Sequence, residues 1–447
     1  MLKEPTPNQS SLEFVCINDL VPDEHLIRKI DKAIDFNFIN PLVQNYYCQD
    51  NGRPPIDPTR LFKILFIGYL FGIRSERQLM REITVNVAYR WFLGFTLTDK
   101  IPDASTLSQN RRRRFNESDV YQQIFDEIVQ QAMKKSLVSG KVLYTDSTHL
   151  KANANKNKHT KAEVEASTKT YLDELESAVN EDREQHGKKA LAPKNKEPKN
   201  KTVKQSTTDV DSGYMVRDNK PKGFFYLDHR TTDERFNIIT DVHVTAGNVH
   251  DSIPYLERLD RQIKQFDFKT EAVGLDAGYF TAAICKGIED RKLYGIIGYR
   301  RPNHRKGYFY KREYSYNKIA DSYTCPAGEV LVYKTTSREG YRHYQSNPQI
   351  CKNCPHLERC TKNKQHVKTV TRHVWEDAKE RINQHRLSEK GKALYARRKE
   401  TVERSFADAK ELHSYRYARY RGINKVKGQC LLTAAAQNMK KIAQLTA

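Results

Sequence analysis

Hydrophobic and polar positions change period several times along the chain, and each change marks a different kind of element. Up to about residue 135 the apolar spacing is helical. The run Leu61 to Ile73 follows Asp57-Pro58-Thr59-Arg60, where an aspartate cap and a proline in the first turn predict a helix start. Pro102-Asp103-Ala104-Ser105-Thr106 predicts another, leading into Leu107 and then Arg111-Arg112-Arg113-Arg114. From Lys141 the period shortens. Val142-Leu143-Tyr144-Thr145 is a β-prone apolar run that ends on Asp146, and Glu271-Ala272-Val273-Gly274-Leu275 is a second that ends on Asp276. Between them, Phe224 to Leu227 and Asn237 to Val244 read as paired strands around Thr231-Thr232-Asp233-Glu234, followed by helical spacing from Ser252 to Gln265. Tyr294 to Ile297 is a further strand. One helical segment from about Lys390 to Leu412 carries Glu403, and a last helix ends near Leu445.

Several strands followed by strand–helix alternation predict an α/β fold, a mixed sheet flanked by helices. The expected organisation is a mainly helical domain over 1–135 and a core domain over 136–447 with two insertions. The first insertion, 155–222, is rich in Lys, Glu, Asn and Asp, with a helix expected over Val164 to Val179 and a Pro/Lys/Asn stretch from Pro193 to Lys204. The second, 306–372, carries cysteines. No internal repeat is present.

Charge narrows the partners. Lys and Arg total 77 against 55 Asp and Glu, a formal charge of +22, which points to a polyanion such as nucleic acid or to an unusually basic solvated surface. The start Met1-Leu2-Lys3-Glu4-Pro5 has no apolar run behind a basic end, and Leu61 to Ile73 is interrupted by Lys63 and far shorter than the roughly 20 residues a bilayer span requires. The expected location is therefore the cytoplasm. In a reducing compartment the eight cysteines point to metal where they cluster, rather than to disulfides.

Two strand-terminal aspartates and a distant helical glutamate suit two-metal phosphoryl chemistry, because hard divalent ions such as Mg²⁺ or Mn²⁺ take carboxylate oxygens and leave positions open for water and phosphate. Two such ions about 3.5–4 Å apart serve both the attacking and the leaving oxygen of an in-line displacement. A strand-end Asp is also a common turn or cap residue, so spacing alone does not identify a site. Glu400 competes with Glu403 on the same segment, and His250 and Asp251, before a helix, are further candidates; Asp251 also suits an N-cap.

The surrounding words are more specific. Thr145-Asp146-Ser147-Thr148-His149-Leu150-Lys151-Ala152-Asn153-Ala154, Gly274-Leu275-Asp276-Ala277-Gly278-Tyr279 and Val402-Glu403-Arg404-Ser405-Phe406-Ala407-Asp408-Ala409-Lys410 closely resemble the three catalytic motifs of insertion-sequence DDE transposases. The resemblance extends to Arg53-Pro54-Pro55-Ile56-Asp57-Pro58 and Pro102-Asp103-Ala104-Ser105-Thr106-Leu107-Ser108, and so covers nearly the whole chain. It implies an RNase H-like catalytic core, with Asp146, Asp276 and Glu403 binding two Mg²⁺ or Mn²⁺ ions. Phe406 and Ala407 match the neighbours expected of Glu403 rather than of Glu400. Tyr395 and Arg398 echo a tyrosine and an arginine that relatives place before the glutamate, although Arg398 stands five positions before Glu403 rather than four. Lys410, two turns beyond Glu403, and Arg404 are placed to hold DNA phosphates.

Cys325, Cys351, Cys354 and Cys360 make a tetrahedral zinc site feasible, with Cys351-Lys352-Asn353-Cys354 the strong half of the signal; four unligated thiols are the alternative. Cys16, Cys48, Cys285 and Cys430 are isolated and read as small core residues. Tyr299-Arg300-Arg301-Pro302-Asn303-His304-Arg305-Lys306 and Tyr415-Arg416-Tyr417-Ala418-Arg419-Tyr420-Arg421 interleave cations with aromatics, a composition that pairs phosphates and stacks on unpaired bases. Arg416, Arg419 and Arg421 are the DNA-contact candidates there, and Arg112 and Arg113 in the N-terminal region; a solvated basic face is the alternative for each. The leading expectation is a transposase that binds element ends and cleaves and joins DNA strands as a homo-oligomer, at least a dimer. A catalytically inactive DNA-binding protein and an RNase H-like nuclease are the competing classes.

Overall fold

The structure, a computed structural model, describes residues 13–48, 55–165, 171–192, 200–216, 221–299 and 306–446. Helices α1 (Leu26–Ala33), α2 (Ile39–Val43), α3 (Pro58–Leu70), α4 (Glu76–Val85), α5 (Val87–Leu93), α6 (Ala104–Asn110) and α7 (Val120–Lys134) precede the first strand. Two of them start where the sequence predicted. The Asp57 carboxylate accepts from the Thr59 and Arg60 amides at 3.3 and 3.1 Å, and that of Asp103 from the Ser105 amide at 2.7 Å. The arginine run forms a π-helical turn, Arg111–Phe115. Arg111 pairs with Glu76 and lies over the Tyr420 ring, and Arg114 lies over Tyr47, which leaves Arg112 and Arg113 exposed.

The main sheet contains β1 (Val142–Lys151), β2 (His159–Glu165), β3 (Asn200–Ser206), β4 (Gly213–Met215), β5 (Gly223–Asp233), β6 (Ile239–Ala246), β7 (Ala272–Leu275) and β8 (Tyr294–Ile297). β1 lies between antiparallel β5 and parallel β7, with β8 parallel beyond β7 and β6 antiparallel to β5. The order β6-β5-β1-β7-β8, with β5 alone reversed, is that of an RNase H-like core. β4 takes the start of β5, Gly223 to Phe225, and carries the β2-β3 hairpin outward.

That hairpin corrects the helix expected over 164–179. β2 pairs with β3 through Glu165, so the backbone of Val164 and Glu165 is committed to a ladder, and α8 spans Leu172–Gln185. Of the stretch 193–204, only residues from Asn200 are among those described, and they form β3. α8 buries Leu175 and Val179 against Ala283 and Trp375. Its buried Asp182 accepts from Arg342 Nε and Thr336 Oγ1, both at 2.6 Å, which joins the two insertions.

Helices α9 (Tyr255–Phe266) and α10 (Ala282–Asp290) flank the main sheet, as predicted around Ser252 to Gln265. The cysteine-bearing insertion is a second sheet, all antiparallel, of β9 (Ser315–Asn317), β10 (Ser322–Thr324), β11 (Val330–Thr336), β12 (Tyr341–Gln345) and β13 (Thr369–His373), with the short α11 (Pro348–Cys351) and α12 (Leu357–Cys360) between β12 and β13. The chain returns through α13 (Glu376–Leu387), α14 (Glu389–Ala396) and α15 (Val402–Leu412) to α16 (Ile423–Thr446). α16 packs on α7, α1 and α3 and also on β6. One hydrophobic cluster therefore runs from Ile27 through the sheet to Ala443 and ties the N-terminal helices to the core. No helix among the described residues is long and apolar enough to cross a membrane.

Candidate active site

Asp146 lies in mid-strand rather than at the strand end that the apolar run predicted. β1 continues to Lys151 because β5 pairs with it from Leu143 to Lys151, whereas parallel β7 stops at Leu275, opposite Thr145. The edge of β1 is thus uncovered at Asp146, and the chain leaving β7 brings Asp276 beside it.

Glu403 comes from a third element, and the continuous helix expected over 390–412 is broken to deliver it. α14 ends at Ala396 and α15 begins at Val402. Side chains support the break: the Arg397 carbonyl, which takes the Thr401 amide at 3.1 Å, also takes the Thr401 hydroxyl at 2.9 Å, and Asn237 Nδ2 donates to the Glu400 carbonyl at 2.8 Å. The turn points Arg398 inward, where its side chain is buried and Nη2 donates to Asp146 Oδ2 at 2.9 Å. Nη1 of the same guanidinium lies 3.9 Å from Asp276 Oδ1 and 3.6 Å from Glu403 Oε1. The five-residue separation from Arg398 to Glu403 is therefore accommodated by a turn, not by one helical face. Glu400 is exposed on that turn, while Glu403 reaches the guanidinium.

Tyr395 supports Arg398, whose Nη1 donates to the Tyr395 hydroxyl at 3.4 Å. That hydroxyl sits against Gly298, at the end of β8, where a Cβ would come within 2.5 Å of it and within 2.8 Å of the Ala277 nitrogen. Gly298→Ala is expected to displace both Tyr395 and the Asp276 turn, lowering the cleavage rate by about tenfold or more through misplacement while DNA affinity changes little. Single-turnover cleavage beside a binding titration checks this; an unchanged rate would contradict the packing.

Burial pushes the Asp146 carboxyl up to about 6, outweighing the attraction of Arg398, and the charges of Asp276 and Glu403 push the same way. Asp251 also approaches. Its Oδ1 accepts from Ser147 Oγ at 2.9 Å, and its Oδ2 is 3.8 Å from where a Cβ on Gly278 would stand. α9 begins at Tyr255 after Pro254, so Asp251 is not that helix's cap. His250 turns away to bond Ser252 Oγ at 2.8 Å.

The donor set suits hard divalent cations: three carboxylates from three elements share one cationic neighbour. Among the described residues no three His, Cys, Asp or Glu side chains stand at metal-ligand spacing.

The basic candidates divide. Lys410 is half-buried on α15, and Arg404 is exposed but paired with Asp408 at 2.8 Å. Tyr415 is buried against Asp228, Arg416 pairs with Glu411, Tyr420 donates to Glu76 at 3.0 Å, and Arg419 lies over Tyr69. Tyr417 and Arg421 remain exposed. The segment is held because residues 416–418 pair with the end of β1: the Ala418 amide donates to the Lys151 carbonyl at 2.8 Å. Tyr417, Arg421 and Lys151 line a cleft of about 740 Å³ together with Arg74 and Lys158. Arg74 and Arg419 also line an adjoining cleft of about 1010 Å³ with Arg77, Arg81 and Lys100. Sequence reasoning missed Arg74, an isolated residue before the Ser75 cap of α4 with no pattern to mark it. Residues 300–305 of the other basic stretch, and Arg53 and Pro54 of the N-terminal motif, lie outside the described residues.

Residues 15–113 match a transposase domain family, DUF772, and residues 324–443 match a transposase DDE domain family. The two matched regions support a DDE transposase of an insertion sequence. No curated protein matches it. Among solved structures, a piggyBac transposase in a synaptic complex with hairpin DNA is similar at 11% identity over 94% of this chain and 81% of that one, with a TM-score of 0.26.

Proposed function

We propose that this protein binds the ends of an insertion sequence and performs strand cleavage and strand transfer at Asp146, Asp276 and Glu403. The observation that carries the reading is the convergence of three carboxylates, from β1, the β7 end and α15, on one buried guanidinium. Those carboxylates would hold two Mg²⁺ or Mn²⁺ ions, which supply activation of the attacking oxygen and stabilisation of the leaving one. The chain's own part is positional. β1 and β5 hold Asp146 on a paired strand, the Thr401 turn brings Glu403 to the guanidinium that Asp146 shares, and Arg398 would pair with the phosphate under attack when the carboxylates hold ions. The buried Asp146 carboxyl must lose its proton to serve.

DNA would run along the basic clefts. Lys151 is five residues from Asp146 on β1, about 17 Å at strand rise, or about five base pairs of duplex. Tyr417 is exposed between Arg74, 5.1 Å from its ring, and Lys151, 5.7 Å from it, a surface for stacking an unpaired base. Assembly on two ends requires at least a dimer.

Incubation of the chain with DNA bearing the element's ends is expected to give divalent-ion-dependent nicks with 3′-hydroxyls at those ends and joined products with target DNA. Cleavage at random positions would instead indicate a nuclease. Binding should weaken steeply with salt, and changing Arg74, Lys151 and Arg421 together to Ala should reduce the log–log slope by about 2–3, near 0.9 per lost phosphate contact. A slope unchanged by the triple variant would remove the clefts from the DNA path.

A further inference from the structure

We propose that Cys325, Cys351, Cys354 and Cys360 bind one structural zinc ion that locks the small β9–β13 lobe. The four residues come from three segments of the lobe, with Cys351 and Cys354 on the same one. Cys325 lies in the β10–β11 turn, where the Gly328 amide donates to its carbonyl at 2.9 Å and Gly328 adopts φ +89°, a conformation that favours glycine. Cys351 and Cys354 follow β12, with the Cys354 amide donating to the Cys351 carbonyl at 3.1 Å, and Cys360 closes α12. All four are free, half-buried and line one enclosed space of about 30 Å³. The other cysteines lie elsewhere: Cys285 and Cys430 in the interior, Cys16 and Cys48 on the surface.

The lobe needs such a constraint. Its buried core is Tyr314, Tyr323, Leu331, Tyr344 and Val370, so most of its bulk is tyrosine whose hydroxyls must be partnered. Asp321 takes the hydroxyls of Tyr316 and Tyr344, at 2.5 and 2.6 Å, and Tyr314 pairs with Cys360 Sγ at 3.3 Å. Two buried aliphatics, Leu331 and Val370, remove little apolar surface from water compared with the number of residues whose ordering the lobe requires. A metal joining three turns supplies the missing term, because its binding energy becomes folding energy.

The thiols are not yet at ligand spacing among the described residues, so the ion would draw the turns inward to Zn–S distances of about 2.3 Å. Four thiols release four protons to solvent, and the resulting Zn–thiolate centre carries two negative charges. Lys368 lines the same space and donates to the Cys360 carbonyl at 3.0 Å, where its ammonium offsets part of that charge. A closed thiolate shell has no position for water or phosphate, so the ion holds structure and takes no part in DNA cleavage. The lobe leads through β13 into α13, where Arg372 clamps Glu380 at 2.6 Å, and so anchors the return of the chain to Arg398 and Glu403.

The test uses the full chain purified under reducing conditions without chelator. Elemental analysis is expected to find one zinc per chain. Exchange into Co²⁺ should give the intense thiolate-to-cobalt absorption of a tetrahedral centre. Cys351→Ser with Cys354→Ser should lose the metal and open residues 306–372 to protease, while Cys16→Ser with Cys48→Ser should keep it. A folded, cooperatively melting wild-type chain that contains no zinc and gives no cobalt–thiolate band overturns the proposal, as does a mass showing the four cysteines paired as disulfides. None of these readouts depends on DNA cleavage, so the transposase reading stands or falls separately.

Discussion

Arg230→Met is expected to destabilise the folded chain by about 3–5 kcal/mol, measured by urea unfolding. Arg230 and Asp228 are both fully buried and pair at 2.6 Å on β5. The guanidinium also donates to Gln437 on α16 at 2.6 Å and lies over the Phe406 and Tyr415 rings, while the Tyr415 hydroxyl donates to Asp228 at 2.8 Å. Methionine fills similar volume but leaves the Asp228 carboxylate without its cation, and burial then forces a proton onto it. Arg230 is the register partner of Asp146 across β1 and β5, and Phe406 lies on the helix that carries Glu403. The buried pair thus joins two of the three acidic elements from behind. Arg230→Met with Asp228→Leu, which removes both charges, should regain most of the loss. A single variant costing under about 1 kcal/mol would show that the pair is not a structural tie.

Asp146→Asn and Asp276→Asn are each expected to slow strand cleavage by at least about 1000-fold, since removing one ion-binding charge forfeits several kcal/mol of transition-state stabilisation. Misfolding is separable from this loss. Burial raises Asp146 from 3.8 to about 6, so the folded chain holds the proton more tightly than the unfolded chain. Stability tied to that proton is complete below about pH 3.8 and disappears as the pH rises through about 6. Asparagine has no such proton. Without divalent ions, wild type should therefore lose about 2–3 kcal/mol relative to Asp146→Asn between pH 4 and pH 7. The variant would be inactive and yet, at neutral pH, favoured in stability. A pH-independent difference between the two would contradict the buried, protonated state of Asp146.

Much of the core was legible because short strands buried on both faces appear as unbroken apolar runs. Tyr294 to Ile297 and Ala272 to Leu275 emerge as β8 and β7, and the residue after β7 is Asp276. Helix caps were equally local, since Asp57 and Asp103 bond amides two or three residues on. What escaped was set by distant partners. The polar β2-β3 hairpin has no apolar alternation and exists because its backbone extends a sheet seeded by β4 and β5. The break between α14 and α15 depends on Asn237, remote in sequence, bonding the Glu400 carbonyl. Periodicity across 390–412 is preserved through that break, which is why it reads as one helix. Interleaved Tyr and Arg in 415–421 gave composition but not direction: pairing with the end of β1 turns Tyr415 inward and leaves Tyr417 in the cleft.

The most direct measurement compares Glu403→Gln with Glu400→Gln in single-turnover cleavage of end-labelled DNA carrying an element end, in Mg²⁺. Glu403 Oε1 stands 3.6 Å from the guanidinium shared with Asp146 and Asp276, whereas Glu400 lies on the preceding turn. The account predicts that Glu403→Gln binds the DNA normally but cleaves at least about 1000-fold more slowly, while Glu400→Gln stays within about threefold of wild type. Undiminished cleavage by Glu403→Gln, or loss confined to Glu400→Gln, would contradict the assignment of this site.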